Sequence, residues 1–93
     1  MDVKFEWDPA KAQSNRRKHG VSFEEAATVF WDPLAATVLD ARSEEESEVR
    51  FVTVGTSKLG RLLVIAHCDR GEVVRIISAR KPTQRERVAY EEG

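Results

Sequence analysis

The chain lacks most of the devices that stabilise or equip small proteins through covalent or metal chemistry. One cysteine, Cys68, stands among 93 residues. That excludes an internal disulfide and any multi-cysteine metal site, suits a reducing compartment, and leaves the fold to packing alone. At this length folding buries only about two thirds of the surface of the unfolded chain, so one domain with one small core is expected over residues 1–93. No apolar run approaches the length of a membrane span, and the N-terminal stretch MDVKFEWDPAK has no signal-peptide core; a soluble, cytoplasmic protein is expected, with no membrane contact. No pair of histidines has ligand spacing, the glutamates near residue 45 lack the glycine and alternation of a calcium loop, and no phosphate loop or dinucleotide fingerprint occurs. Neither metal nor cofactor is expected. A basic excess is missing too: the net charge is −1, whereas nucleic-acid-binding domains usually carry a positive balance. That average hides a segregation, with Glu44, Glu45, Glu46 and Glu48 crowded together and arginine or lysine dominating 16–18 and 75–87.

What is present reads as alternating elements. Val3, Phe5 and Trp7 alternate with Lys4 and Glu6, a half-buried strand. Asp8 and Pro9 open a helix that should run to about His19 and stop at Gly20. Only Ala10 and Ala12 are apolar in it, so Lys11, Asn15, Arg16, Arg17, Lys18 and His19 are expected to face solvent or a partner. Ser22 and Glu25 have capping-box spacing, Val21 can staple against Ala26, and Phe23, Ala26, Ala27 and Phe30 give the second helix an apolar face before Asp32 and Pro33 end it. Strands follow at 37–39, 49–54, 62–68 and 73–79, separated by a charged loop at 41–48, small polar residues from Gly55 to Gly60, and a tight hairpin at Asp69, Arg70 and Gly71. Thr83 and Glu86 form a second capping box. The helix they open has only Val88, Ala89 and Tyr90 to bury and should dock loosely. The expected fold is α+β: an N-terminal strand and two short helices packed on an antiparallel meander, followed by a C-terminal helix.

The chemistry-bearing residues gather late in the chain. Arg75, Arg80, Lys81, Arg85 and Arg87 form the densest basic cluster, and with Arg61 can line a groove that tracks a nucleic-acid backbone. Arg85 and Arg87 read as solvated. For Arg75, set among Val73, Val74, Ile76 and Ile77, two readings stand level: a guanidinium held for phosphate, or a buried arginine paired with a carboxylate. Its five-residue separation from Arg80 points the two to opposite faces of a regular strand, unless a bulge or the strand end reorients Arg80. His67, in the apolar run LLVIAHCD, is either a satisfied structural side chain or a proton-transfer group near Arg75. Glu86 and Tyr90 share a helix face and can handle a proton or stack on a base. His19 beside Lys18 in a last helical turn is favoured by the helix dipole without any function.

The segments FEWDPAKAQSNRRKHGVSFEEAATVFWDP, GRLLVIAH and RIISARKPTQRERVAYEE together resemble the BrnT family of bacterial toxins over nearly the whole chain. KHGVSFEEA at Lys18 to Ala26, RIISAR at Arg75 to Arg80, and Glu86 with Tyr90 are the most specific parts. The resemblance implies a RelE-like ribonuclease fold, metal-independent cleavage of RNA with inhibition of translation and growth, and a type II toxin–antitoxin pairing. The partner would be a BrnA-like ribbon-helix-helix antitoxin that binds operator DNA, the toxin meeting DNA only through it in a hetero-oligomeric complex. On that basis Arg75 and Arg80, helped by Arg61, should hold the scissile phosphate while the RNA 2′-hydroxyl attacks. His67 and Glu86 are the candidates for proton transfer, and Lys18, His19 and Tyr90 for further RNA contact. Two alternatives stand beside this: a non-catalytic module that docks the antitoxin and acts as co-repressor, and a relative that binds RNA without cutting it.

Overall fold

The computed structural model describes residues 3–41 and 48–92. Glu44 to Glu46, and most of the expected charged loop, lie outside the described residues. A five-stranded sheet has the order β1-β5-β4-β3-β2, with β1 at Lys4–Glu6, β2 at Ala36–Leu39, β3 at Phe51–Thr56, β4 at Leu62–Arg70 and β5 at Val73–Arg80. Helix α1 spans Pro9–His19, α2 spans Phe23–Thr28 and runs into a 3-10 turn at Val29–Trp31, and α3 spans Gln84–Glu92. The strands β2 to β5 form the antiparallel meander that the sequence suggests. To it β1 adds in parallel, Lys4 to Glu6 lying against Val73 to Arg75.

Local chemistry sets the helix ends. Asp8 accepts from the Ala10 N–H at 3.0 Å, Pro9 occupies the first helical position, and Gly20 ends α1 at φ 70°, a conformation that costs a residue without Cβ nothing. Ser22 accepts from the Glu25 N–H at 3.0 Å. The carboxylate of Glu25 does not complete the capping box; it turns away to Arg61 and to the Ser57 hydroxyl at 2.7 Å. The core fills one face of the sheet: Val21, Phe23, Ala26 and Val29 meet Leu63, Ile65, Ile76 and Ala79, with Phe5, Trp7, Ala12, Ala27 and Phe30 packed against them. Gly55 lies inside β3 rather than in a loop, and it must be glycine, because a Cβ there would sit 2.9 Å from both Ala35 Cβ and Val29 Cγ1. The last hairpin turns on Gly71 and Glu72, one residue later than the sequence suggests, since β4 continues through Arg70.

Asn15 is not exposed as its polar helix implies; it is only 7% accessible. The strand β1 pairs with β5 no further than Arg75, which leaves the remaining edge of β5 open. Asn15 fills it as a strand would. Its Nδ2 donates to the Ala79 carbonyl at 2.8 Å and to the Val21 carbonyl at 3.0 Å, and its Oδ1 accepts from the Ala79 N–H at 3.1 Å. These bonds satisfy buried backbone groups that have no strand partner, and they fix α1 alongside β5.

Candidate functional site

Residues opposite one another on paired strands lie on the same side of a sheet, so the register sorts side chains into two faces. Ile65 and His67 of β4 lie against Ala79 and Ile76, on the face that carries the core. Val64, Ala66 and Cys68 lie against Arg80, Ser78 and Arg75, so both arginines stand on the far face. Strict alternation forbids this. The register shifts between Ala66 and His67, leaving Ile77 as an extra residue on β5. Such a bulge reverses the alternation beyond it: Ala79 returns to the core, and Arg80 joins the face of Arg75.

Around Arg75 the far face opens into a cavity of about 480 Å³ lined by Lys11, Glu48, Arg50, Cys68, Arg70, Arg75 and Ile77. Four of these carry positive charge. Carboxylates partly balance them: Arg75 Nη1 stands 3.6 Å from Glu6 Oε1, Arg70 stands 3.9 Å from the same oxygen and also pairs with Glu48. The Arg75 side chain remains 35% accessible, so its guanidinium can reach an incoming anion. Burial, and then Glu48, push the Cys68 thiol up from its ordinary value, which keeps it protonated and weakly nucleophilic at neutral pH.

At the other end of the same face, Arg80 grips Glu86 through a fork of hydrogen bonds, Nη1 to Oε1 at 2.8 Å and Nη2 to Oε2 at 2.9 Å. Glu86 also accepts from the Thr83 N–H at 2.8 Å, while the Thr83 hydroxyl accepts from the Glu86 N–H at 3.2 Å, completing the expected capping box. Arg80 foremost, with Thr83, lowers the Glu86 carboxyl to about 2. Four residues on, the Tyr90 hydroxyl donates to Asp32 Oδ2 at 2.7 Å, which raises the phenol. The same oxygen accepts from the Thr56 N–H at 2.8 Å, foremost among the bonds that lower Asp32. Arg80 lies beside Val64, and Thr56 beside Leu62, so both ties hold α3 near the start of β4. No residue of α3 is buried; two polar ties hold it.

The remaining residues singled out in the sequence fall elsewhere. His67 is on the core face at 1% accessibility, with Nε2 2.7 Å from the Thr53 hydroxyl and Nδ1 2.7 Å from Asp69 Oδ1. Its ring is boxed between Phe30 and Phe51, on the opposite side of the sheet from Arg75. Arg61 donates through Nε to Glu25 Oε2 at 2.9 Å and through Nη2 to the Gly20 carbonyl at 3.2 Å, closing the start of β4 onto the helices. That pairing lowers the Glu25 carboxyl. Lys18, exposed, and His19, half-buried, occupy the last turn of α1. Lys11, Arg50 and Arg70 join the cavity although nothing in their local sequence marks them. A hairpin register would have found two: Phe51 lies against His67 and Arg70 against Val73, so Arg50 and Arg70 share the parity of Cys68.

Fold and site together define a class: a small α+β domain with its core on one face of a five-stranded sheet and guanidinium groups gathered on the other. The sequence model of the ribonuclease toxin BrnT of type II toxin–antitoxin systems matches residues 7–86, and the chain belongs to that family. The crystal structure of the Brucella abortus ribonuclease toxin BrnT has the same fold, with a TM-score of 0.68 and 21% identity over 89% of this chain and 100% of that one. BrnT is thus the close description of the fold, and RelE-like a looser one. No curated protein matches the chain. A ribonuclease toxin of a type II system implies an RNA substrate and an antitoxin partner. Among the described residues, no helix is long and apolar enough to cross a membrane.

Proposed function

We propose that this chain is an endoribonuclease toxin of the cytoplasm that cleaves RNA on the far face of its sheet without a metal ion. The observation that carries the reading is the bulge at Ile77, which brings Arg80 to the face of Arg75, where Arg75 lines a cavity with Lys11, Arg50 and Arg70. The RNA 2′-hydroxyl attacks the adjacent phosphate as it loses its proton, the bond from phosphorus to the 5′-oxygen breaks, and water protonates the departing oxygen, leaving a 2′,3′-cyclic phosphate; the guanidinium groups stabilise the charge that accumulates on the phosphorane. His67 takes no part, because its ring is buried on the opposite side of the sheet from Arg75, with its nitrogens engaged by Thr53 and Asp69. Glu86 is the proton acceptor. While it is held by Arg80 its carboxyl lies at about 2, too low for an effective base; a phosphate that draws Arg80 away returns it toward the ordinary carboxylate range. Substrate binding thereby creates the base. In the cell a BrnA-like ribbon-helix-helix antitoxin neutralises the toxin and carries the complex to operator DNA.

The test pairs growth arrest on expression with cleavage of RNA in vitro in the presence of a chelator. Arg75→Ala is expected to lower the cleavage rate by about 10²-fold or more, the usual effect of losing one transition-state donor. The double replacement of Arg75 and Arg80 should abolish arrest. Undiminished arrest by a double variant whose circular dichroism is native would refute this site.

A further inference from the structure

The charged side chains on the sheet and those on α1 differ in one respect. Arg61, Arg70, Arg75 and Arg80 each stand against a carboxylate. The side chains of Lys11, Arg16, Arg17 and Lys18 have no hydrogen-bond or ion-pair partner among the described residues. The helix also contains no acidic residue. Among the described residues, then, no carboxylate pairs with its cations, and one of them, Lys11, lines the same cavity as Arg75.

We propose that the flank of α1 carrying Lys11 and Lys18 is a rail for the backbone of single-stranded RNA, holding phosphates next to the one at Arg75. The inference rests on the ribonuclease reading above. Lys11 and Lys18 are seven residues apart, which places them within about 20° of each other around the helix and about 10.5 Å apart along it. Lys11 stands beside Ile77 at the cavity, and Asn15 is bonded to Ala79, so α1 and β5 run in the same direction. One turn beyond Asn15, Lys18 comes level with Arg80 and Lys81. Two rows of cations thus flank one track: Arg75 to Arg80 on the strand, Lys11 to Lys18 on the helix. Arg16 lies about 140° around the helix from Lys11, and it lines a separate groove with Ser22, Phe23 and Glu24.

The chemistry of this flank favours RNA over a protein partner. Beyond Pro9 and Ala10, the exposed side chains of α1 are lysine, arginine, glutamine and serine, with no large apolar group among them, and lysine is depleted from the cores of protein interfaces. The exposed large apolar residues, including Trp31, Leu34, Val38, Leu39 and Leu59, lie outside α1.

Binding of a mixed-sequence oligoribonucleotide, made uncleavable by 2′-O-methylation, measured against salt concentration tests the rail. Each phosphate contact to a single strand contributes about −0.7 to the slope of log K against log salt. Lys11→Gln and Lys18→Gln should each weaken binding several-fold and flatten the slope by about 0.7, and the double variant by about twice that. Arg16→Gln removes the same charge from the other flank and should leave the slope unchanged. Equal flattening by Arg16→Gln would reduce the effect to overall charge and overturn the rail. If the wild-type chain binds the oligonucleotide and the lysine variants bind with the same affinity and slope, the rail alone falls. If the wild-type chain binds none even at low salt, the rail and the ribonuclease reading fall together. Lysine variants that bind RNA normally but lose a co-expressed antitoxin would assign the flank to that protein instead.

Discussion

Asn15 joins three parts of the molecule through one amide: its own helix, the Val21 carbonyl that precedes α2, and both backbone groups of Ala79 on β5. Asn15→Ala would strand these buried groups, and since each unsatisfied group costs about 1–3 kcal/mol, a total loss of about 3 kcal/mol is expected in urea unfolding. Asn15→Asp should fare worse, because a carboxylate cannot donate to the two carbonyls and carries charge against them. Burial raises the pKa of such a carboxyl, so its extra cost should appear as pH rises through that value and vanish in acid. None of this was legible in the sequence, where Asn15 looks like one more polar residue in a polar helix. Its partners lie on other elements, and spacing within a helix carries no information about them. Glu25 failed in the opposite way. Its distance from Ser22 satisfies a local rule, but the guanidinium of Arg61 supplies two charge-assisted bonds that a backbone N–H cannot match.

Element by element, reading the sequence went further. The helix ends were written in Asp8, Gly20, Ser22 and Thr83, because caps depend on residues a few positions apart. The conflict between the spacing of Arg75 and Arg80 and a regular strand was visible as well, but its resolution was not: a bulge at Ile77 is defined only against the neighbouring strand. The weak docking of α3 followed from its shortage of apolar residues, and it makes the two polar ties decisive. The Glu86 carboxyl is depressed in the folded state, so the Arg80 tie contributes fully above about pH 4.5 and is lost as pH falls toward about 2. Protection of the α3 amides, with hydrogen exchange corrected for the intrinsic rate at each pH, is expected to fall across that acid window before that of the sheet amides. Glu86→Gln should abolish the window and leave α3 exchanging faster at neutral pH. Both groups are about one third accessible, which limits the expected difference to about 1 kcal/mol.

For the whole molecule, a near-neutral net charge concealed the arrangement that matters. Among the described residues most sheet arginines pair with carboxylates drawn from distant elements, while the cations of α1 do not, so the field is uneven although the sum is close to zero. The α+β class and the meander were readable, since alternation, turns and hairpin lengths are local. The parallel pairing of β1 with β5 was not, because it joins residues near the two ends of the chain. That pairing also governs when the fold can be completed. The strand made first waits for the strand made last, and the helices between them have only part of their sheet to pack on until β5 emerges. Contacts of such long range form late and slowly. A ribosome-bound chain stopped after Arg70 is expected to remain open to protease, whereas the released full-length chain resists it. The growing polypeptide thus lacks the strand that carries Arg75 and Arg80 until β5 has emerged, and whatever depends on that face is withheld until then.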